Sequence, residues 1–413
     1  MLIRVEEALA QILNAIVPLD VEKVSILDAL GRVIGEDVHA PRNLPPVSNS
    51  AMDGYAVRAC DTAGASSRKP AILDVVEDIP AGVFPQKNVG PGQASRIMTG
   101  APVPSGADAV VRMEDTQKEG TAVKILVDVV SGMDIRQAGE DVQEGELVIP
   151  RGTVIRPAEV GMLAALGRSF IFVHQRPLVA ILATGDELME IDEDTTSWKI
   201  ISSNNYATAA QVLESGAIPL QLGIARDRRE DLLRKFRTAT RADIIISSGG
   251  VSVGDYDLVK DIMHEVGNQM HFWQVAMRPG KPLAFGSLDG VPLFGLPGNP
   301  VSSMVSFEQF VRPSLLKMMG HRRLFRKVIR ATLEEDVAKK EGMRYFLRAY
   351  VKKEGNLYKI STTGEQGSGI LKSMVRANGL VVLPEGASGA RRGEEVAVQL
   401  LDGSLDQIET IVF

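Results

Sequence analysis

The residues that could do chemistry in this chain gather around one glycine-rich stretch. In Ile244-Ile245-Ile246-Ser247-Ser248-Gly249-Gly250-Val251-Ser252-Val253-Gly254-Asp255-Tyr256-Asp257 an apolar, β-branched run opens into a loop of three glycines and three serines. Leu258, Val259, Ile262, Met263 and Val266 then recur at helical spacing. A strand–loop–helix transition of this kind bares backbone N–H groups for an anion. Glycine suits it because a Cβ would hold the backbone away from a phosphate. Asp255 and Asp257 would repel that phosphate unless a hard cation lay between them, so the stretch predicts a magnesium-bridged nucleotide or phosphoester. A glycine-rich turn with helix-capping aspartates is the plainer reading of the same residues.

Other loops offer matching chemistry. Thr184-Gly185-Asp186-Glu187 sets two carboxylates just after an apolar strand, and two convergent acidic loops favour a magnesium site over solvated caps. Met277-Arg278-Pro279-Gly280-Lys281-Pro282 is a stiff turn presenting two cations, suited to an oxyanion. Pro297-Gly298-Asn299-Pro300 starts a helix, with Pro300 near a first-turn position. Asp53 sits in the polar loop Asn49-Ser50-Ala51-Met52-Asp53-Gly54, either as a functional carboxylate or as an Asx-turn residue. Thr99 opens the small-residue loop Thr99-Gly100-Ala101-Pro102-Val103-Pro104, and Glu140-Asp141 flank Gly139. No Ser/His/Asp or Cys/His arrangement and no GxxxxGK[ST] motif occurs, so covalent nucleophilic chemistry is not supported.

Composition narrows the field. The net charge of -6 carries no basic footprint for nucleic acid or an anionic membrane, so an anionic ligand needs local cations. Cys60 is the only cysteine, which excludes disulfide frameworks and thiolate metal sites within one chain. The five histidines are scattered without metal-ligand spacing. The opening MLIRVEEALAQIL is amphipathic and acidic, unlike a signal peptide, and no apolar run approaches a membrane span. A cytoplasmic location is expected.

These loops need a scaffold, and 413 residues allow two to four domains. Val5, Ala8, Leu9, Ile12 and Leu13 predict an opening amphipathic helix. From Ala71 to Val129 short β-type segments alternate with Gly/Pro turns. From Pro177 onward strands and helices alternate: a strand at 177–183, a helix at 207–213, a strand at 219–224, a helix at 230–236, the strand at Ile244 and a helix from Leu258. Further strands follow at 282–285 and 291–296, then a helix from Val301. The expectation is a mostly parallel sheet with helices on both faces, its ligand at the carboxyl ends of the strands. Arg322 to Lys327 reads as a basic, exposed linker to a small C-terminal β domain.

Six ordered motifs together carry a resemblance. They are Asn49 to Ala56, Thr99 to Pro104, Ala183-Thr184-Gly185-Asp186-Glu187-Leu188, Ser247 to Gly254, Pro279-Gly280-Lys281-Pro282 and Gly295-Leu296-Pro297-Gly298-Asn299-Pro300-Val301-Ser302. The chain resembles, over essentially its whole length, the molybdopterin molybdenumtransferases (molybdenum insertases), which include the C-terminal domain of gephyrin.

The resemblance implies an α/β multidomain chain. Residues 1–21 and 168–320 would form the mostly parallel, molybdopterin-binding α/β sandwich domain; 22–40 and 142–167 a connecting domain. Residues 41–141 would form a β-rich domain contributing to the cleft of a homodimer, and 321–413 a C-terminal β-barrel-like domain. The implied reaction inserts molybdenum from molybdate into adenylated molybdopterin and releases AMP, with Mg2+ held by Asp186, Glu187, Asp255 and Asp257. Asp53, Thr99, Asp141, Glu187, Asp227 and Asp257 are the implied catalytic residues. Ser248, Gly249, Gly250, Ser252, Pro297, Asn299 and Pro300 would bind the pterin substrate; Arg278, Lys281, Arg344 and Ser368 would capture molybdate. The stretch Met343-Arg344-Tyr345-Phe346-Leu347-Arg348 leaves open whether Arg344 or Arg348 faces the site. Implied partners are a molybdopterin adenylyltransferase and acceptor molybdoenzymes, with no nucleic acid and no membrane. Two alternatives are the preceding adenylyl transfer to molybdopterin and a gephyrin-like receptor-binding scaffold. Three extra domains argue against the first, and the lack of a fused domain or long disordered linker against the second.

Overall fold

The computed structural model describes residues 2–193, 198–226, 228–249 and 268–406. The chain divides into two compact units, one formed by Met1–Lys23, Gly31–Val33 and Phe172–Phe413, the other by Val24–Leu30 and Ile34–Ile171.

In the first unit, the strand Leu178–Thr184 is apolar at nearly every position because both of its faces are covered. Val179 and Ile181 enter one core with Ala209, Val212, Val301 and Phe310; Ala180 and Leu182 enter another with Leu232, Phe236 and Ala239. The helices Ser203–Glu214 and Arg229–Ala239 therefore lie on opposite faces of one sheet. The sheet order is Ile218–Ala225, Leu178–Thr184, Ile244–Ser248, Val291–Leu296, Pro282–Leu288, Asn268–Gln274. The first four strands run parallel, and the last two pair antiparallel.

That antiparallel edge modifies the simple strand–helix alternation. Asp289 and Gly290 both have positive φ, 49° and 79°, and join Pro282–Leu288 to Val291–Leu296 as a two-residue hairpin. Asp-Gly is a favoured pair for such a turn. The opening helix Val5–Ala15 buries Val5, Ala8 and Ile12 in the first core, as its periodicity predicts. Lys317 Nζ ties it down by donating to the Leu13 carbonyl at 2.7 Å.

Beyond residue 327 the strands Arg344–Glu354, Leu357–Thr362, Val328–Leu333, Glu395–Leu400 and Gly379–Leu383 pair in that order, and the last returns to the first. The result is a closed five-stranded barrel filled by Leu333, Leu347, Val351, Ile360, Val381 and Val398. Closure leaves no free edge to aggregate. The short strand Met277–Arg278 pairs parallel with the start of Arg344–Glu354, Met277 against Arg344 and Arg278 against Tyr345. In the preceding linker Arg322, Arg323, Phe325 and Lys327 are exposed, while Arg326 is half-buried and forms a two-pronged pair with buried Glu308, at 3.1 and 3.2 Å.

The second unit is built on a six-stranded sheet ordered Ala109–Arg112, Gly54–Val57, Gln93–Ile97, Ala71–Ile79, Ala122–Ile125, Thr116–Glu119. Val38–His39 pairs with Leu147–Ile149, bringing two segments distant in sequence side by side, and the helix Pro157–Ala165 follows.

Candidate functional site

Parallel register decides where the loops of the first unit emerge. Ala183 lies beside Ser248, and Ser248 beside Leu296. The loops that begin at Thr184, Gly249 and Pro297 therefore leave the sheet at one level, at its carboxyl edge. A cavity of about 330 Å³ opens there. Its lining includes Thr184, Glu187, Ser202, Asn204, Ser248 and Gly249, together with Gly298, Pro300 and Gly369.

Gly249 has φ +84°, and a Cβ on it would stand 2.7 Å from the Thr184 carbonyl oxygen, so only glycine lets these two loops touch. Asp186 and Glu187 are exposed at the strand end. Asn299 precedes the helix Pro300–Ser306, and its carbonyl accepts from Ser303 N–H at 3.0 Å. Pro297 is buried, and Pro300 takes the first helical position as its missing N–H allows. Asn204 Nδ2 donates to the Gly298 carbonyl at 2.8 Å, joining the helix Ser203–Glu214 to this loop. Ser368 presents its backbone to the same place, its carbonyl accepting from Val301 N–H at 3.1 Å.

A second cavity, of about 490 Å³, lies where the Met277–Arg278 strand meets the barrel. Arg278, Lys339, Lys340 and Arg348 line it, together with Tyr345, Gln366 and Gly367, and among the described residues no carboxylate does. Arg348 is 1% exposed. It donates from Nε to Ser373 Oγ at 3.1 Å and from Nη2 to the Gly367 carbonyl at 3.2 Å. Among the described residues it pairs with no carboxylate, and burial pushes its pKa down to about 10, leaving it charged at neutral pH. Arg278 is exposed, its guanidinium 5.7 Å from the centre of the Tyr345 ring. Lys339 Nζ is held by the carbonyls of Met343 and Glu385 at 3.0 and 3.1 Å.

The structure thereby separates the two arginines that the sequence left open. Arg344 turns into ion pairs with Glu6 at 2.5 Å and Glu385 at 3.1 Å and is not among the residues that line this cavity. Lys281 is exposed and lies outside the lining as well.

In the second unit Asp53 and Thr99 meet. Asp53 Oδ1 accepts from Thr99 N–H and from Thr99 Oγ1, each at 2.7 Å. The backbone bond first, then the hydroxyl, holds this exposed carboxyl below its ordinary range. Asp141 is exposed, and its N–H donates to the Leu44 carbonyl at 3.0 Å. Asp227, Gly250, Ser252, Asp255 and Asp257 lie outside the described residues.

With this geometry in hand, comparison with known proteins is decisive. Residues 3–167 match the family described as MoeA N-terminal region (domain I and II), 180–317 the probable molybdopterin binding domain, and 330–401 the MoeA C-terminal region (domain IV). The molybdopterin molybdenumtransferase of a Nostoc species is 38% identical over 92% of this chain and 88% of its own length. That of Bacillus subtilis is 35% identical over 97% of this chain and 94% of its own.

The chain belongs to the molybdopterin molybdenumtransferase family.

A solved molybdopterin biosynthesis MoeA protein from Pyrococcus horikoshii, 33% identical, covers 97% of this chain and the whole of its own, with a TM-score of 0.82. A second structure of the Pyrococcus protein reaches 0.85 at 32% identity. For this molybdenumtransferase family member, sequence reasoning missed Ser202 and Asn204 in the first cavity and Lys339 and Lys340 in the second. A hydroxyl before a helix was the available signal for the former. The lysine pair carried none, since only barrel closure brings it to Arg348.

Magnesium fits the donor set at the sheet edge in part. Glu187 and Asp186 supply hard carboxylate oxygens there, and Thr184 and Ser248 neutral ones. Among the described residues no three carboxylate, histidine or cysteine side chains converge. No helix among them is long and apolar enough to cross a membrane.

Proposed function

We propose that the chain inserts molybdenum from molybdate into adenylated molybdopterin and releases AMP. One observation supports this reading above the others. The loop Gln366-Gly367-Ser368-Gly369 walls both cavities, Gln366 and Gly367 facing the cationic one and Gly369 the hydroxyl-lined one. A small dianion and a phosphorylated substrate can thus be held on two sides of one loop.

In this reading Arg278, Lys340 and Arg348 capture molybdate, with Lys281 and Ser368 at the approach. Ser248, Gly249, Gly298 and Pro300 embrace the phosphate-bearing end of the pterin, and Gly250 and Ser252 continue that cradle. Asp186 and Glu187, with Asp255 and Asp257, would hold Mg2+, which when bound offsets the charge of the diphosphate. Asp53 and Thr99 form a fixed carboxylate–hydroxyl pair that we assign, with Asp141, Asp227 and Glu187, to the reaction. We further propose a homodimer in the cytoplasm, in which one subunit's Asp53 and Thr99 serve the other's cleft. A molybdopterin adenylyltransferase would deliver the substrate, and acceptor molybdoenzymes would receive the product. A chain limited to adenylyl transfer would leave the cationic cavity without a role.

The test supplies purified protein with adenylated molybdopterin, molybdate and magnesium. AMP should be released, and a cofactor-free molybdoenzyme should gain activity. Turnover of the pterin without AMP release, or activation that ignores molybdate, refutes the proposal.

A further inference from the structure

Arg278 is exposed, and among the described residues its guanidinium makes no ion pair and no hydrogen bond. An arginine free in that way samples many rotamers, and an anion that has to fix it loses affinity. What Arg278 does meet is an aromatic ring. Its guanidinium carbon stands 5.7 Å from the centre of the Tyr345 ring, inside the roughly 6 Å reach of a cation–π contact. Backbone register brings the two together, since Arg278 pairs with Tyr345 where the Met277–Arg278 strand joins the barrel. Tyr345 is 7% exposed and belongs to the barrel core with Leu347 and Leu383, so its ring is a fixed surface.

The same ring takes a second cation. Lys339 Nζ lies 5.1 Å from its centre. That ammonium donates to the carbonyls of Lys340, Met343 and Glu385, at 3.4, 3.0 and 3.1 Å. With all its donors engaged it adds charge to the cavity but no further hydrogen bond. Arg278 differs, because no acceptor among the described residues claims its N–H groups. A carboxylate in the ring's place would take those donors and cancel the charge, as Glu6 and Glu385 do for Arg344. A ring does neither, and it suits a planar guanidinium better than an ammonium. Arg278, Lys339 and Tyr345 all line the cavity of about 490 Å³, together with Arg348.

We infer that Tyr345 is a positioning residue for the dianion, its ring holding Arg278 at the cavity with the guanidinium donors free. The inference rests on the proposed capture of molybdate and deepens it with a residue that carries no charge. Tyr345 acts through Arg278 and needs no contact of its own with the anion. Without the ring, repulsion from Lys339 would favour the solvent-facing rotamers of the exposed arginine.

The test follows AMP release from adenylated molybdopterin by the full chain while molybdate is titrated. Tyr345→Leu should raise the half-saturating molybdate concentration roughly three- to thirty-fold, the range of a cation–π contact, with the maximal rate retained. Tyr345→Phe keeps the ring and should recover most of that loss. With Arg278→Ala already present, Tyr345→Leu should have less than about a two-fold further effect, since the ring then has nothing to hold. A merely structural tyrosine would give additive losses and a lower maximal rate. Phenylalanine analogues with successively more ring fluorines, replacing Tyr345, keep the shape while draining the π face. Half-saturation should climb along that series. Additive losses in the double variant, or no trend across the fluorinated series, overturn the assignment and leave the proposed reaction standing. Tyr345→Phe as damaging as Tyr345→Leu also overturns it, because the hydroxyl would then carry the effect. An unmodified chain whose AMP release ignores molybdate overturns both.

Discussion

At the sheet edge an anion would meet hydroxyls and backbone N–H groups, whereas beside the barrel it would meet Arg278, Lys340 and Arg348. The first cavity even carries a carboxylate, Glu187, while among the described residues the second has none. The difference follows from what each would hold. A diphosphate has many oxygens and can share a cation with Glu187, so neutral dipoles suffice and set the geometry. A small dianion offers only four oxygens and no covalent tether, so full charges must supply its affinity. Arg348 makes the point, because a buried guanidinium without a carboxylate is expensive to desolvate. Arg344, on the same strand, is neutralised by Glu6 and Glu385. The two arginines differ in environment: one is paired with carboxylates, and the other, among the described residues, meets only neutral acceptors.

Arg348→Met is the strongest way to break this comparison. It removes the buried charge while filling its space, and molybdate affinity should fall by about 2–4 kcal/mol, roughly 30- to 1000-fold. The melting temperature should hold or rise, since no anion then has to compensate the charge. Retained molybdate dependence of AMP release would remove Arg348 from the anion site.

Arg344→Met should do the reverse. Loss of a bridge between two carboxylates should lower stability by about 1 kcal/mol in chemical denaturation, with the molybdate dependence unmoved. A shifted molybdate dependence would restore Arg344 to the binding set.

Lys281→Ala sharpens the boundary of the cationic cavity. Lys281 is exposed and outside the lining. Its loss should therefore weaken molybdate by about 0.5–1 kcal/mol, roughly two- to five-fold, recovered by raising molybdate. An effect as large as that of Arg348→Met would mean that the lysine reaches the bound dianion directly.

The smallest effect concerns Asp53 and Thr99, where a hydroxyl and an N–H already hold a carboxylate much as the first cavity would hold a phosphate. These bonds favour the charged form and lower the Asp53 pKa. The contact is present above the ordinary carboxyl pKa and is lost as pH falls through the lowered value. Thr99→Val should move the Asp53 titration, followed by NMR, upward toward its ordinary value, though not fully, because the Thr99 N–H remains. An unmoved titration would show that the hydroxyl contributes nothing to holding the carboxylate.

Much of this was legible from local pattern. The apolar run at Leu178–Thr184, the strand at Ile244 and the start of a helix at Pro300 are statements about short windows, and short windows determine periodicity, turn chemistry and helix starts. The six ordered motifs identified the family on the same basis. Even the Asp289-Gly290 hairpin was written locally, but two strands in a βα alternation look alike whether they run parallel or antiparallel until their partners are known.

What only the tertiary structure decided is which charges and hydroxyls remain without partners. Arg344 and Arg348 are the same residue type on one strand, and nothing near them in sequence names Glu6 or Glu385 as the neutralising pair. Thr184 and Ser202 are ordinary residues until parallel register and the start of Ser203–Glu214 set both against one cavity. Residue type is a local property of the chain, but whether a polar group is buried, paired or left open depends on contacts between segments far apart in sequence. In this protein those contacts distinguish Arg344, held between Glu6 and Glu385, from Arg348, buried among the described residues without a carboxylate.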